Sequence, residues 1–570
     1  MKNVFIAVGG SGTKVAEALV RLLAVGFPTR KENGIVTSAG DTLEIWRVDP
    51  DRASGAAVSL QKCVDEYAQL QAHLAEGPPP EEGVASSRWA MDLSTKIRFL
   101  DPLKLPISGE RDNEIKTLRG ILDSGLSSET SLPFLTPFFT REDLDVEIDR
   151  GFYQKPFIGS AVMAIFADSL GKERSPGGEA AGLTRYDNNK VNFFLCGSLH
   201  GGTGACGVPV IGKFLKERKK LPPGAGWRLG ACMLAPYSLP PQPPFNAVAG
   251  DEPITEEMVV DLLKSKGGEP AFQALNTPEE KKTLIRQILL GFYADPADME
   301  SRARQGLTYY KRHSAGYFDE TYLVGKPEPD KLTVWSNGGS SQSNPLNSAE
   351  IIAAVSALNF FSAANTGDAR SYVVGTSTPD LESNKMRLSH LPKYRIDNGK
   401  VEVDPEKVFL ATAFLRHLLI HQIPWDTKAD NWPKKEIPEL RNYYKDNVSK
   451  QEKDWGEYTA AAKLFDNSLM ALLDPNRAKG WSGDDAAEVA RLLSAAPDTV
   501  AELSAKTAKR GWRNDEAEEP LTLGKSSIRA STFEFGRWCP PAAQFSRGEY
   551  LRFAWSQLFG RGKDVGKEEG

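Results

Sequence analysis

The stretch Asn192–Glu217, NFFLCGSLHGGTGACGVPVIGKFLKE, reads as strand, glycine turn and helix in succession. Asn192–Cys196 is a short apolar, aromatic-rich run of the kind that fills a buried strand, and Gly197 breaks it. Gly201, Gly202, Thr203 and Gly204 then form a loop with almost no side-chain bulk, which lets backbone N–H groups turn inward around an anion. From Val208 the residues Val208, Ile211, Phe214 and Leu215 recur at helical spacing. Pro209 suits a first turn, and the basic run Lys216–Lys220 complements the negative end of the helix dipole. A glycine loop feeding a helix N-terminus is a phosphate site on these grounds alone. The alternative is a tight strand-to-helix turn with no ligand.

HGGTGACGVPVIG resembles the signature loop of the tubulin/FtsZ superfamily, GGGTGTG or GGGTGSG followed by a helix that often opens A-P-V. On that pattern Gly201, Gly202, Thr203, Gly204 and Pro209 match. His200 replaces the first glycine, Ala205 the Thr or Ser, and Cys206 the last glycine. The substitutions remove a hydroxyl and add a Cβ beside the phosphates, so the resemblance implies nucleotide binding more firmly than hydrolysis.

A second unit of the same kind opens the chain. Val4–Val8 is apolar, Gly9, Gly10, Ser11 and Gly12 follow, and Val15, Leu19, Leu22 and Leu23 continue at helical spacing. Lys14 is followed by Val15 rather than Ser or Thr, so this is not a P-loop, and Val15 stands where a full GxGxxG needs its third glycine. An NAD(P) oxidoreductase is a weak reading for the same reason. By resemblance, Gly9–Gly12 is the first nucleotide loop of the tubulin/FtsZ group. Leu43–Val48 alternates as a strand and runs into Asp49 and Asp51. The resemblance places these near the phosphates and their cation; the alternative is a solvated turn whose Asp caps the next helix.

Further along, Gly151–Ser160 precedes an apolar helical run, Ala161–Leu170. By resemblance its position is that of the family's third loop, which senses the terminal phosphate and would put Gln154 and Lys155 within reach of it; the alternative is a plain helix-entry turn. Trp227–Leu234 reads as a strand closed by Ala235, Pro236 and Tyr237. The family has a proline-containing loop here against the ribose, so Pro236 is a nucleotide-site candidate by resemblance. Pro240–Phe245 is proline-rich. Thr321–Val324 is a short strand, and Asn347–Ala364 is the most apolar helix in the chain, so it should be buried on several sides. That is the character of the family's central helix, whose N-terminal end faces the base. Asn344 or Asn347 is thus a candidate partner for guanine, and helix capping is the other role open to Asn347. Beyond it the family carries a hydrolytic acid that acts on the next subunit in a filament. Asp368, in Asn365–Asp368, is the catalytic candidate, with Asp380 behind it, although Ser371–Gly375 reads as a strand where the family has a helix.

Composition bounds the rest. The 570 residues carry 70 Lys and Arg against 75 Asp and Glu, a net charge of −5, which gives no basis for a nucleic-acid surface. Five cysteines without CxxC spacing indicate neither a zinc site nor a disulfide framework, and fit a reducing cytoplasm. No apolar run is long enough for a signal peptide or a membrane span. His417 and His421 lie at i, i+4 without an acidic ligand partner and read as core or interface residues, so no metal site is assigned.

The expected fold is α/β, a Rossmann-like nucleotide-binding domain of tubulin/FtsZ type over residues 1–346 with insertions near 70–150 and 250–320. A central helix, 347–364, leads to a divergent, largely helical C-terminal domain, 365–560, and a mobile tail, 561–570. The resemblance implies a cytoplasmic GTP/GDP-binding protein, with or without Mg2+. It would be a GTPase self-associating into filaments, its C-terminal domain available to protein partners. The rival is a non-hydrolysing nucleotide-binding scaffold.

Overall fold

The computed structural model describes residues 2–27, 30–32, 35–37, 42–51, 54–75, 95–103, 117–125, 139–145, 148, 152, 156–170, 183–186, 189–220, 226–239, 296–313, 315–326, 329–332, 344–362, 370–374, 386–396, 401–405, 408–409, 452–473 and 478–481. Seven strands build the central sheet: β1 (Lys2–Val8), β2 (Thr42–Val48), β3 (Lys96–Leu100), β4 (Val191–Ser198), β5 (Trp227–Leu234), β6 (Glu320–Val324) and β7 (Arg370–Val374). Their order is β7-β6-β5-β4-β1-β2-β3, and every neighbouring pair is parallel. The chain therefore lays down β1, β2 and β3 in one direction and β4 to β7 in the other, with the reversal between β1 and β4. In an open parallel sheet that reversal leaves a crevice at the carboxyl ends of the two strands, because the helices leaving them go to opposite faces.

The helices do go to opposite faces. One layer holds α1 (Gly9–Ala24), α2 (Gly55–Ala75), α6 (Ser348–Ser362) and α7 (Glu452–Leu473); the other holds α3 (Pro156–Leu170), α4 (Gly202–Lys219) and α5 (Pro296–His313). Successive side chains of a strand point to opposite faces. Accordingly Phe5 and Ala7 join the first core, while Val4, Ile6 and Val8 join the second. With both faces covered, β4 and β5 are buried along their whole length, and this is why they read as continuous apolar runs instead of alternating ones. The α/β Rossmann-like architecture expected from the sequence is present.

α6 is buried at every position except Asn359 and Ser362, as its apolar circumference requires. The strand expected near Ser371 is there as β7, the edge of the sheet. Pro209 departs from expectation. α4 begins at Gly202, so the glycines are its first turn and Pro209 sits inside it, not at its start. Proline there removes the bond that would run back to the Ala205 carbonyl. The helix starts early because its first turn lies directly on the strand end: a Cβ on Gly204 would stand 2.5 Å from the Ser198 backbone nitrogen.

α7 comes from the chain's last third yet packs on α1 and α2, and Phe465, Leu469, Leu472 and Leu473 share the core of that layer. Among the described residues no helix is long and apolar enough to cross a membrane.

Candidate functional site

Two glycine turns meet at the crevice. Gly9 follows β1 and opens α1 with φ +76, a left-handed conformation that favours glycine, and a Cβ there would also stand 3.1 Å from the Thr203 Cβ. Gly12 is in contact beneath it, where a Cβ would come within 2.4 Å of the Cys196 carbonyl oxygen. Gly10 faces open space. The first turns of α1 and α4 are thus pressed together edge to edge. α3 joins them: a Cβ on Gly159, one turn into α3, would lie 3.1 Å from the Gly202 carbonyl oxygen.

Three helix N-termini therefore converge on the carboxyl ends of β1 and β4. Each contributes orphan N–H groups and the positive end of a helix dipole. None carries an acidic residue in its first turn, and neither Val8, ahead of α1, nor Gly201, ahead of α4, makes a side-chain capping hydrogen bond. Proteins usually cap or neutralise such ends. Leaving two without side-chain caps, with a third beside them and no acid in any first turn, makes a concentrated anion-attracting centre.

Gly9, Gly10, Ser11, Gly12, Gly201, Gly202, Thr203, Gly204 and Ala205 are all in these first turns or at the Gly201 cap. Thr203 is buried, and the Thr13 hydroxyl bonds back to the Gly9 carbonyl at 2.9 Å. Cys206 is not at the mouth of the loop. Its thiol turns down between α4 and α3, donating to the Gly202 carbonyl at 3.0 Å, so its Cβ adds no bulk where an anion would sit.

Asp49 and Asp51 lie at the carboxyl end of β2, next to the crevice, and both are buried. Asp49 accepts the Asp51 backbone N–H at 3.2 Å, so the turn is an Asp-turn, but it is buried rather than solvated, and the next helix is capped by Ser54, which accepts the Ala57 N–H at 3.2 Å, not by either Asp. Arg47 ties this corner together, donating to the Asp51 carbonyl at 2.6 Å and to the Asp101 carboxylate at 2.8 Å. Burial pushes the Asp49 carboxyl up to about 7, against the opposing pull of Arg47. Among the described residues no group of three or more His, Cys, Asp or Glu side chains is gathered to hold a metal ion.

His200, just ahead of the Gly201 cap, has its Nδ1 buried without a hydrogen-bond partner, and burial together with nearby Arg302 of α5 lowers its pKa to about 4. It is neutral in the fold at physiological pH.

The other flank of the crevice holds residues whose roles the sequence did not reveal. Tyr237, after β5, donates to Glu350 Oε1 at 2.6 Å and accepts a hydrogen bond from the Ser11 hydroxyl of the first loop. Glu350 Oε2 takes the Asn347 backbone N–H at 2.7 Å and stands 3.6 Å from the Lys14 ammonium. Lys14 also donates to the carbonyls of Asn344 at 3.0 Å and Pro345 at 2.6 Å. Burial raises the Glu350 pKa while Lys14, Tyr237 and the Asn347 N–H pull it down. Asn347 accepts the Ala349 N–H at 3.0 Å, so with Glu350 it forms a reciprocal cap on α6. The capping role holds for Asn347; Asn344 sits at the crevice end of the same segment. The one signal for this cluster was Glu350 itself, an acid in an otherwise apolar helix.

Pro236 is half-buried between β5 and Tyr237, where the sequence order puts it. Asp368, Asp380, Gln154, Lys155, His417, His421 and the Pro240–Phe245 run lie outside the described residues. No family model and no curated protein matches the chain.

Proposed function

We propose that the chain binds a guanine nucleotide, GTP or GDP, with its phosphates over the first turns of α1, α3 and α4, as the tubulin/FtsZ proteins it resembles do. The observation that carries the reading is the convergence of three helix N-termini without first-turn acids at the reversal of a parallel sheet. One such end suits a single phosphate; three side by side suit a polyphosphate. The base would lie toward the N-terminal end of α6, beside Asn344 and Pro236. Asp49 and Asp51 would flank the phosphates, and a magnesium ion would take most of its ligands from phosphate and water, since the carboxylates here are few and already engaged.

The finer reading is a cytoplasmic GTPase that self-associates into filaments, with Asp368 of one subunit polarising water at the site of the next. Loop N–H groups would stabilise the charge that develops on the transferring phosphoryl group. The cheap discriminator is nucleotide binding and turnover by purified protein, GTP against ATP, over a wide range of protein concentration with light scattering alongside. GTP-selective turnover that rises more steeply than linearly, together with scattering, is the expected result. Turnover linear in protein concentration sinks the shared active site. GDP or GTP binding without turnover leaves the site and moves the function to a nucleotide-binding scaffold. Absence of any nucleotide binding removes the whole reading.

A further inference from the structure

The segment Ala478–Trp481 returns from the end of α7 to the N-terminal end of α6. Ala478 and Lys479 pair in parallel with Leu346 and Asn347, the residues that lead into α6. Gly480 is the seat of this contact. Its φ is +90, and a Cβ there would stand 2.5 Å from the Ser348 hydroxyl and 2.7 Å from both the Asp330 carboxylate and the Lys326 ammonium. Its carbonyl accepts the Met386 backbone N–H at 3.2 Å and Lys326 Nζ at 3.4 Å. Trp481 is buried and donates its indole N–H to the Leu472 carbonyl of α7 at 3.1 Å.

Lys326 is an unusual residue to find in such a place, because its ammonium-bearing side chain is fully buried. It is compensated by a salt bridge to Asp330, which also accepts the Asn347 side-chain amide at 2.7 Å. Asn347 in turn gives its backbone N–H to Glu350, and Glu350 reaches Ser11 through Tyr237 and approaches Lys14 directly. An unbroken polar path thus runs from Gly480 to the first glycine loop through buried or part-buried groups, none of which can lose a partner cheaply.

We infer that Ala478–Trp481 is a latch: its docking on Lys326, Asp330 and Asn347 holds the α6 N-terminus in the position that fixes the Gly9–Gly12 loop, so that release of the segment loosens the loop. The further consequence, that latch and nucleotide strengthen each other's binding, rests on the nucleotide reading above and follows from linkage, since a site that favours the docked state is favoured by it in return.

Gly480→Ala tests this, because it places a methyl group in the seat and a non-glycine at positive φ without touching the loop. Asp330→Asn is the second variant, removing the charge that holds Lys326 while keeping the shape. Amide exchange of the full chain without nucleotide is read at residues 478–481, 344–350 and 9–14, and GDP affinity is read separately. Faster exchange at all three segments and GDP binding weaker by about tenfold are expected, within the usual range of coupling between sites. Faster exchange at 478–481 in either variant with no change at 9–14 overturns the latch. Faster exchange at all three segments in both variants, with a wild-type chain that binds no GDP, would leave the latch standing and remove the nucleotide reading.

Discussion

Two glycines in the same turn have different jobs, and substitution separates them. A Cβ on Gly12 would meet the Cys196 carbonyl oxygen at 2.4 Å, and that atom belongs to the middle of the sheet and cannot give way. A Cβ on Gly10 meets nothing within 4 Å. Gly12→Ala is therefore expected to lower unfolding free energy by about 3 kcal/mol, the upper end of overpacking costs. Gly10→Ala should leave stability unchanged or raise it by up to about 1 kcal/mol, the helix preference of alanine over glycine. Urea denaturation of the two variants decides it, and equal losses at both positions would mean that the turn is not packed as described. The sequence shows that glycine is needed in this turn but not which glycine, because a close approach depends on what lies across the space. The same holds for Cys206, which reads from the sequence as bulk at the mouth of the loop but lies away from it, between α4 and α3.

At the scale of elements, apolar runs were the legible part. β1, β2, β4, β5, β6, α1 and α6 all lie within a few residues of where periodicity and glycine breaks put them. What stayed hidden was polar and long-range: Lys14, Tyr237 and Glu350 come from three separate stretches, and no local pattern links them. Their pairing is testable as a unit. Lys14→Met leaves the Glu350 carboxylate buried without its cation, a loss of about 3 kcal/mol where the carboxylate must stay ionised. Burial already raises the Glu350 pKa in the fold, so the folded state holds this proton more tightly than the unfolded chain. Between the two pKa values the Glu350 contribution to stability falls as pH rises. Removing Lys14 raises the folded value further, so the deficit of Lys14→Met should be largest near pH 8 and shrink toward pH 5. Adding Glu350→Gln should recover most of it at pH 8. Thermal unfolding of the single and double variants across that range gives the coupling directly, and a deficit independent of pH would show that Lys14 acts through packing and its hydrogen bonds to the Asn344 and Pro345 carbonyls, not through the Glu350 charge.

On the scale of the whole molecule, the question is whether the last third of the chain is an appendage or part of the sheet domain. A helix that follows the central helix by nearly a hundred residues reads from sequence as belonging to a separate C-terminal unit, since nothing local says where it docks. α7 nevertheless buries Phe465, Leu469, Leu472 and Leu473 in the core shared by β1, α1 and α2, and the segment after it reaches the α6 N-terminus. The stability of the glycine loops should then depend on residues far from them in sequence. Leu469 is completely buried, so Leu469→Ala should cost about 3 kcal/mol, the ordinary penalty for emptying a leucine site in a tight core. The loss should appear in the unfolding of the sheet itself. The opposite core, on the far face of the sheet, packs on β4 and β5, so amide exchange in those two strands reports on that unfolding separately from α7 and from Trp481, which packs on it. If α7 is integral, exchange in β4 and β5 and far-UV circular dichroism should shift together to lower denaturant by the same free energy. A shift in helix content alone, with the exchange transition of β4 and β5 in place, would mean that α7 can leave while the sheet stands. The domain that carries the candidate site would then be complete without it.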